Sequence, residues 1–124
     1  MLRGYMRILL TSGKWAVHPD GWNPIGMLDL AVYWRGMGFE VDCHYLDGIP
    51  QREYDIVGLS VFSGSDLNKI DNALMLKKRF PKAKIIVGGR WTQYIEMQDR
   101  AVLDSHGIEV WVGNGEDYFG NGVT

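Results

Sequence analysis

Short apolar runs alternate with longer mixed stretches along this chain, and each of the later runs empties into small residues. The runs are Met6–Thr11 (MRILLT), Phe39–His44 (FEVDCH), Ile56–Val61 (IVGLSV), Lys84–Val87 (KIIV) and Glu109–Val112 (EVWV). Short runs rich in Val, Ile and Leu, bounded by turn residues, read as strands. Near-continuous apolarity marks strands of a parallel sheet, buried on both faces.

Between the runs the apolar period changes to that of helices. Asn23-Pro24 is a helix start, an Asn cap with Pro at the first helical position. This helix runs to about Met37, turns Ile25, Leu28, Ala31 and Val32 inward, and stops at Gly38. Asp66 caps a second helix with Leu67, Ile70, Ala73, Leu74 and the stem of Lys77 on its core face, and Pro81 ends it. A third helix covers roughly Tyr94–Ser105, with Ile95, Ala101 and Val102 inward, and Gly107 closes it. Ser12–Asn23 is a long loop and Asp47–Pro50 a turn.

Strands alternating with helices imply a parallel sheet with right-handed crossovers. The fold class is α/β, a three-layer α/β/α open parallel sheet of about five strands, flavodoxin-like. One helix is missing from the alternation. The link Asp47–Glu53 is too short for it, so a brief crossover or a single helical turn joins the second and third strands. The 124 residues fit one domain, 1–124, with no repeat or linker.

Composition narrows the function classes. With 46% hydrophobic and 23% charged residues the chain can build a core. Thirteen basic against 15 acidic residues give a net charge of −2, which is no nucleic-acid footprint. Lys77-Lys78-Arg79 suits the negative end of a helix dipole. Cys43 is the only cysteine, which excludes an intrachain disulfide, a cysteine-rich zinc site and an iron–sulfur cluster held by this chain alone. A lone cysteine suits a reducing compartment, and the chain reads as cytoplasmic. The aliphatic run Ile8–Leu10 is too short for a secretory or membrane-spanning segment, so no membrane partner is expected.

The candidate chemistry lies at the strand ends, because open α/β sheets bind ligands outside the carboxyl ends of their strands. Those ends carry Ser12 and Gly13, then Ser60 and Ser63, then Gly88 and Gly89, then Gly113 and Gly115. These eight are the candidate cofactor-binding residues, since small residues let a ligand approach the backbone. Small residues also serve the tight strand–helix turns of any doubly wound fold. Ser12-Gly13-Lys14 lacks the dense hydroxyls of a flavodoxin phosphate loop, and no GxGxxG stands there. Ser60 occupies the position where a receiver-type phosphorylation site needs an aspartate. Trp15, Trp22 and Trp91 fall on loops at this edge, where they line a planar ligand, meet a partner, or pack the loops; Trp34 and Trp111 read as structural. His18, His44 and His106 are scattered over three elements and do not spell a metal site. Asp20 and Glu116 fall on loops that can meet at the crevice, but two carboxylates on unrelated loops make no acid–base pair by themselves, and no nucleophile–base set is visible, so no catalytic residues are assigned.

The ordered motifs resemble the cobalamin-binding domain of methionine synthase, of the mutases and, more closely, of the N-terminus of many cobalamin-dependent radical S-adenosylmethionine enzymes. The family's first helix typically reads Pro-x-Gly-Leu-x-x-Leu-Ala-x-x-Leu-Arg-x-x-Gly-x-x-Val. Here Pro24, Gly26, Leu30, Ala31, Arg35, Gly38 and Val41 stand in a similar order. Asp55-Ile-Val-Gly58-Leu-Ser60 resembles the family's third strand, and Arg79-Phe-Pro81, Gly88-Gly89 and Gly113-x-Gly115-Glu116 match in place, so the resemblance covers about residues 6–117. It implies a cobalamin cofactor whose nucleotide tail slides between sheet and helix, past the hydroxyl of Ser60 and the paired glycines. A bulky residue at Gly89 is then expected to abolish corrinoid retention and leave the fold intact.

The departures carry information too. The family's Gly-Gly-Pro-His is here Gly88-Gly89-Arg90-Trp91. The cobalt-ligating Asp-x-His-x-x-Gly of the methionine synthase group is absent, since the first loop holds His18-Pro19-Asp20-Gly21. The resemblance therefore implies that no histidine of this chain holds cobalt from below, with His18 the only substitute. The radical domain and its three-cysteine motif are absent from the sequence. The implied function is a stand-alone corrinoid-binding-like module, non-catalytic by itself; the alternative is an interaction or oligomerisation module that kept the fold and lost the ligand. Family domains continue past Gly-x-Gly-Glu into a further helix, whereas here Asp117–Thr124 follows with Tyr118 and Phe119 as its apolar content. The flank at Glu109–Val112, with Trp111, is thus expected to be partly bare. A homodimer, or a partner protein supplying a missing domain, would cover it.

Overall fold

The computed structural model describes residues 6–13, 25–61 and 68–120. Five strands form one sheet: β1 (Arg7–Ser12), β2 (Glu40–Tyr45), β3 (Ile56–Ser60), β4 (Lys84–Gly88) and β5 (Glu109–Val110). Their spatial order is β2-β1-β3-β4-β5 and every pairing is parallel, the flavodoxin-like arrangement read from the alternation. Among the described residues three α-helices flank the sheet: α1 (Ile25–Gly36), α2 (Lys69–Arg79) and α3 (Met97–Ser105). The helix caps assigned to Asn23-Pro24 and Asp66, together with Leu67, lie outside the described residues.

The side-chain period of 2 splits each strand between two cores. Ile8 and Leu10 of β1, Ile56 of β3 and Ile86 of β4 meet Met27, Ala31 and Trp34 of α1 on one face. Leu9, Val57, Leu59, Ile85 and Val87 meet Ala73 and Leu76 of α2 and Leu103 of α3 on the other.

Two helix faces differ from the sequence expectation. In α1 the buried stripe is Met27, Ala31 and Trp34, while Leu28 and Val32 are exposed. Both stripes are apolar at helical spacing, so periodicity alone does not choose between them. In α3 the inward residue is Leu103, while Ala101 and Val102 face solvent. That helix also begins later, at Met97, because a 3-10 turn at Arg90–Tyr94 takes up the preceding residues.

The missing helix is absent as expected. Residues 46–55 pass from β2 under β1 to β3, with a 3-10 turn at Leu46–Gly48. Ile49 and Tyr54 of this link enter the α2/α3-side core, and the Tyr54 ring meets Phe80 at 5.6 Å between centroids. β2 tolerates such thin cover because Val41 and Cys43 face the α1 core while Glu40 and Asp42 point the other way. Arg52 bridges those carboxylates, to Glu40 at 2.6 Å and to Asp42 at 3.1 Å, and Tyr54 donates its hydroxyl to Asp42 at 2.7 Å. Burial, and next the hydrogen bond to Asp42, hold the Tyr54 phenol well above its ordinary pKa.

β5 is shorter than expected. Trp111 donates one more backbone hydrogen bond to Val87, and Gly113, with φ of +127°, then turns the chain away. Residues 111–120 fold back over the α1 face through a 3-10 turn at Gly115–Asp117. Phe119 packs on Trp34 and Phe39, and Tyr118 packs on Trp34 and Trp111. The flank expected to be partly bare is covered in part by the chain's own aromatic residues: Trp111 is half-buried under Tyr118, while Val112 is exposed.

Candidate functional site

In-register parallel pairing sets Ser12 of β1, Ser60 of β3 and Gly88 of β4 in one row at the carboxyl edge. The row behind it is Leu10, Gly58 and Ile86. These rows floor a groove on the α1 face, of about 540 Å³. Met27, Leu30 and Trp34 of α1 form one wall, and Trp111, Gly115 and Tyr118 of the returning segment form the other. The volume lies within the roughly 300–1,000 Å³ of small-molecule pockets.

The groove exists because small residues stand where side chains would fill it. A Cβ built at Gly88 would have nothing within 4 Å, so the space above this backbone is open. One built at Gly58 would touch Leu10 Cδ2 at 3.0 Å. Glycine inside a strand marks a place where something approaches the backbone closely, and Gly58 sits mid-strand in β3. At the rim stand Asp29, Glu116, Arg90 and Gln93, giving two carboxylates against one guanidinium. Burial pushes the Tyr118 phenol above its ordinary value, so it stays a neutral donor, and its hydroxyl binds Glu109 at 3.1 Å.

Of the eight candidate residues, Ser60, Gly88, Gly89, Gly113 and Gly115 line this groove, all at one edge of the sheet. Ser12 shares their row but is buried beside the groove rather than lining it. Gly13 lies away, near Asn72 of α2 and Leu46. Ser63 lies outside the described residues, as do His18, Asp20, Trp15 and Trp22.

Gly89 corrects an expectation. Its φ is +104°, and a Cβ there would collide with the backbone of Val61. Val61 donates to the Gly88 carbonyl at 2.9 Å and accepts from the Trp91 amide at 3.2 Å. A bulky residue at Gly89 therefore breaks the β3–β4 strand ends rather than plugging an intact groove. Gly115 is constrained in a milder way, because its Cβ would lie 2.5 Å from Leu30 Cδ2, the end of a flexible side chain.

Trp91 is packing, not ligand lining. It is buried in the α2/α3-side core, with Lys69 Nζ over its ring at 5.3 Å. Trp34 and Trp111 do hold core places, and they also wall the groove. Sequence reasoning missed that second role, along with Gly58, Leu30, Gln93 and Thr92. Thr92 is buried, and its hydroxyl lies 2.8 Å from the Gly89 carbonyl and 3.0 Å from that of Trp111, tying together the loops after β4 and β5.

At the β1 end, where the strand order reverses, Thr11 and Ser12 are buried and their hydroxyls have no hydrogen-bond partner among the described residues. A buried hydroxyl left unpaired costs about 1–3 kcal/mol, and switch points of this kind are where open α/β sheets bind ligands. His44 and His106 do not line the groove, and His106 Nδ1 sits 2.9 Å from the Val102 carbonyl. Among the described residues no group of three His, Cys, Asp or Glu could hold a metal ion, and no helix is long and apolar enough to cross a membrane. Burial pushes the Cys43 thiol above its ordinary pKa, which suits a packing residue rather than a nucleophile.

No protein-family model matches the chain, and no curated protein does. Among solved structures it is similar to the RcsB response regulator of Salmonella typhimurium. One such structure gives a TM-score of 0.63 at 12% identity, covering 93% of this chain and 56% of the regulator. A second gives 0.57 at 12% identity, covering 90% and 54%. A flavone reductase aligns at a TM-score of 0.48 and 14% identity, covering 92% of this chain and 56% of its own. The chain thus spans just over half the length of these structures. At such identities the likeness is one of fold, and the fold is a flavodoxin-like α/β parallel sheet.

Proposed function

We propose that this chain is a corrinoid-binding module, non-catalytic by itself, that holds cobalamin by its nucleotide tail. The observation that carries the reading is the groove between α1 and the sheet, floored by Gly58, Ser60 and Gly88 at the carboxyl edge. The residues fit such a group. The open backbone at Gly88 leaves room for a flat ring, and the Ser60 hydroxyl stands in the same row. Trp111 and Trp34 add an apolar wall. The groove accommodates the tail, and the macrocycle would rest outside it on the strand-end edge. When bound, a corrinoid supplies the reactive cobalt, and this chain's part is to hold and orient it. Chemistry would then belong to a catalytic domain or protein that works beside it. The lone, half-buried Cys43 agrees with a cytoplasmic setting.

Incubation with hydroxocobalamin followed by desalting tests the reading. Visible corrin absorbance co-eluting with the protein at a fixed ratio is the expected result. A colourless protein fraction at saturating input contradicts it, and leaves the chain as an interaction module that kept the fold without the ligand.

A further inference from the structure

Beyond Trp111 the returning segment is tied to the molecule by side chains alone. Trp111 itself is fixed, since its backbone N–H donates to the Val87 carbonyl at 2.9 Å and its carbonyl accepts from the Thr92 hydroxyl at 3.0 Å. Among the described residues, the backbone hydrogen bonds of 112–120 stay inside the segment: Asp117 to Asn114, Tyr118 to Gly115 and Gly120 to Asp117. None of residues 111–120 is buried. What holds 113–120 down is the contact of Gly115 with Leu30, the Tyr118 hydroxyl on Glu109 at 3.1 Å, and the Phe119 ring, 5.1 Å from that of Trp34 and 4.6 Å from that of Phe39. A segment with few buried contacts and its own exposed hydrogen bonds opens at lower cost than the core. Gly113 gives it a hinge. That residue is exposed, its φ is +127°, and a Cβ there would meet nothing nearer than Trp111 Nε1 at 4.0 Å. Glycine passes between positive and negative φ without steric penalty.

We propose that residues 113–120 are a strap that swings on Gly113 and opens the groove as one piece while the sheet stays folded. The 3-10 turn at Gly115–Asp117 and the hydrogen bonds around it keep the strap's own shape as it moves. Opening takes Gly115, Glu116 and Tyr118 out of the groove wall, and closing returns them over whatever lies on Gly58 and Gly88. Trp34 connects the two events. Its ring walls the groove and also carries Phe119 and Tyr118, so an occupant that presses on Trp34 bears on the ring that latches the strap. The root does not move, because the Val87 and Thr92 hydrogen bonds hold Trp111 on the near side of the hinge. The movement does not depend on which ligand the groove takes, so it stands apart from the corrinoid reading.

Amide hydrogen exchange of the full chain, followed by NMR at stepped low concentrations of guanidinium, tests it. The Asp117, Tyr118 and Gly120 amides are expected to share one opening constant, at least about a hundredfold less protected than the amides of β3 and β4, and to depend only weakly on denaturant. Phe119→Ala removes the latch and lowers the protection of all three alike, by at least about tenfold. The pair Leu30→Cys and Gly115→Cys, in a Cys43→Ala background, closes the strap by a disulfide. A Cβ at Gly115 would stand 3.3 Å from Leu30 Cγ, the place the new sulfur takes, which is within reach of such a bond. Oxidised, this protein exchanges the three amides at least about tenfold more slowly than when reduced. Strap amides with the protection and denaturant slope of β3 and β4 overturn the proposal, since the segment then opens only with the whole fold. Scattered protection with no common response to Phe119→Ala overturns it too, as separate small fluctuations. So does a cysteine pair that fails to oxidise, or one whose oxidation leaves the exchange unchanged.

Discussion

Gly88 and Gly89 are neighbours at the end of β4 with different reasons to be glycine. Gly88 lacks a side chain so that the groove stays open, whereas Gly89 lacks one because its φ of +104° and the Val61 backbone forbid it. Gly89→Ala is therefore expected to lower stability by at least the ~1–3 kcal/mol of a strained non-glycine conformation, seen as a lower urea midpoint. An unchanged midpoint would show that the Val61 contact is misread. Tyr54 gives a second residue-level expectation, read in pH. Its folded-state pKa is raised, so its contribution is complete below the unfolded value of about 10 and is lost as pH rises through the folded value. Tyr54→Phe removes the 2.7 Å hydrogen bond to Asp42 and costs about 1 kcal/mol near neutrality. The gap between wild type and variant should narrow above about pH 10, measured as urea midpoints at stepped pH. A gap that widens there contradicts the assignment.

At the scale of elements, most strands were legible because they are short apolar runs ended by small residues, and β3 and β4 match their runs to within a residue. Pro81 marked the end of α2 correctly, since a residue without a backbone N–H follows Arg79-Phe80. The inward faces were less legible. In α1 the stripe Leu28–Val32 is as apolar as Met27–Ala31–Trp34, and tertiary contact with Ile8, Leu10 and Ile56 decides between them. In α3 the signal was a single leucine. Leu103→Ala should cost about 2–5 kcal/mol by leaving a core cavity, whereas Val102→Ala should fall within about 0.5 kcal/mol as a surface change. Thermal melts of the two variants check this; equal losses would return Val102 to the core. The groove was half legible. Strand-end glycines and Ser60 named its floor, but its walls come from α1 and from residues 111–118, and no local pattern announces that a chain folds back across a sheet.

Across the whole molecule, two stretches of largely irregular chain among the described residues cover the sheet beside α1, α2 and α3. On the α2/α3 side, polar Glu40 and Asp42 with Arg52 stand in for the apolar contacts a helix would make. On the α1 side, residues 111–120 cross the sheet as irregular chain, and an aromatic cluster of Trp34, Phe39, Tyr118 and Phe119 anchors their end. An irregular segment fills less space than a helix, and the groove over Gly58 and Gly88 is what remains. That groove is the basis of the functional reading. It is tested most directly by titrating hydroxocobalamin into wild type and Gly88→Leu, following quenching of tryptophan fluorescence beside the thermal midpoint of each protein. The account predicts saturable quenching for the wild type and at least a tenfold weaker affinity for Gly88→Leu at an unchanged midpoint, a difference of about 1.4 kcal/mol. Equal affinity of the two proteins, or no saturable quenching of the wild type, would contradict it.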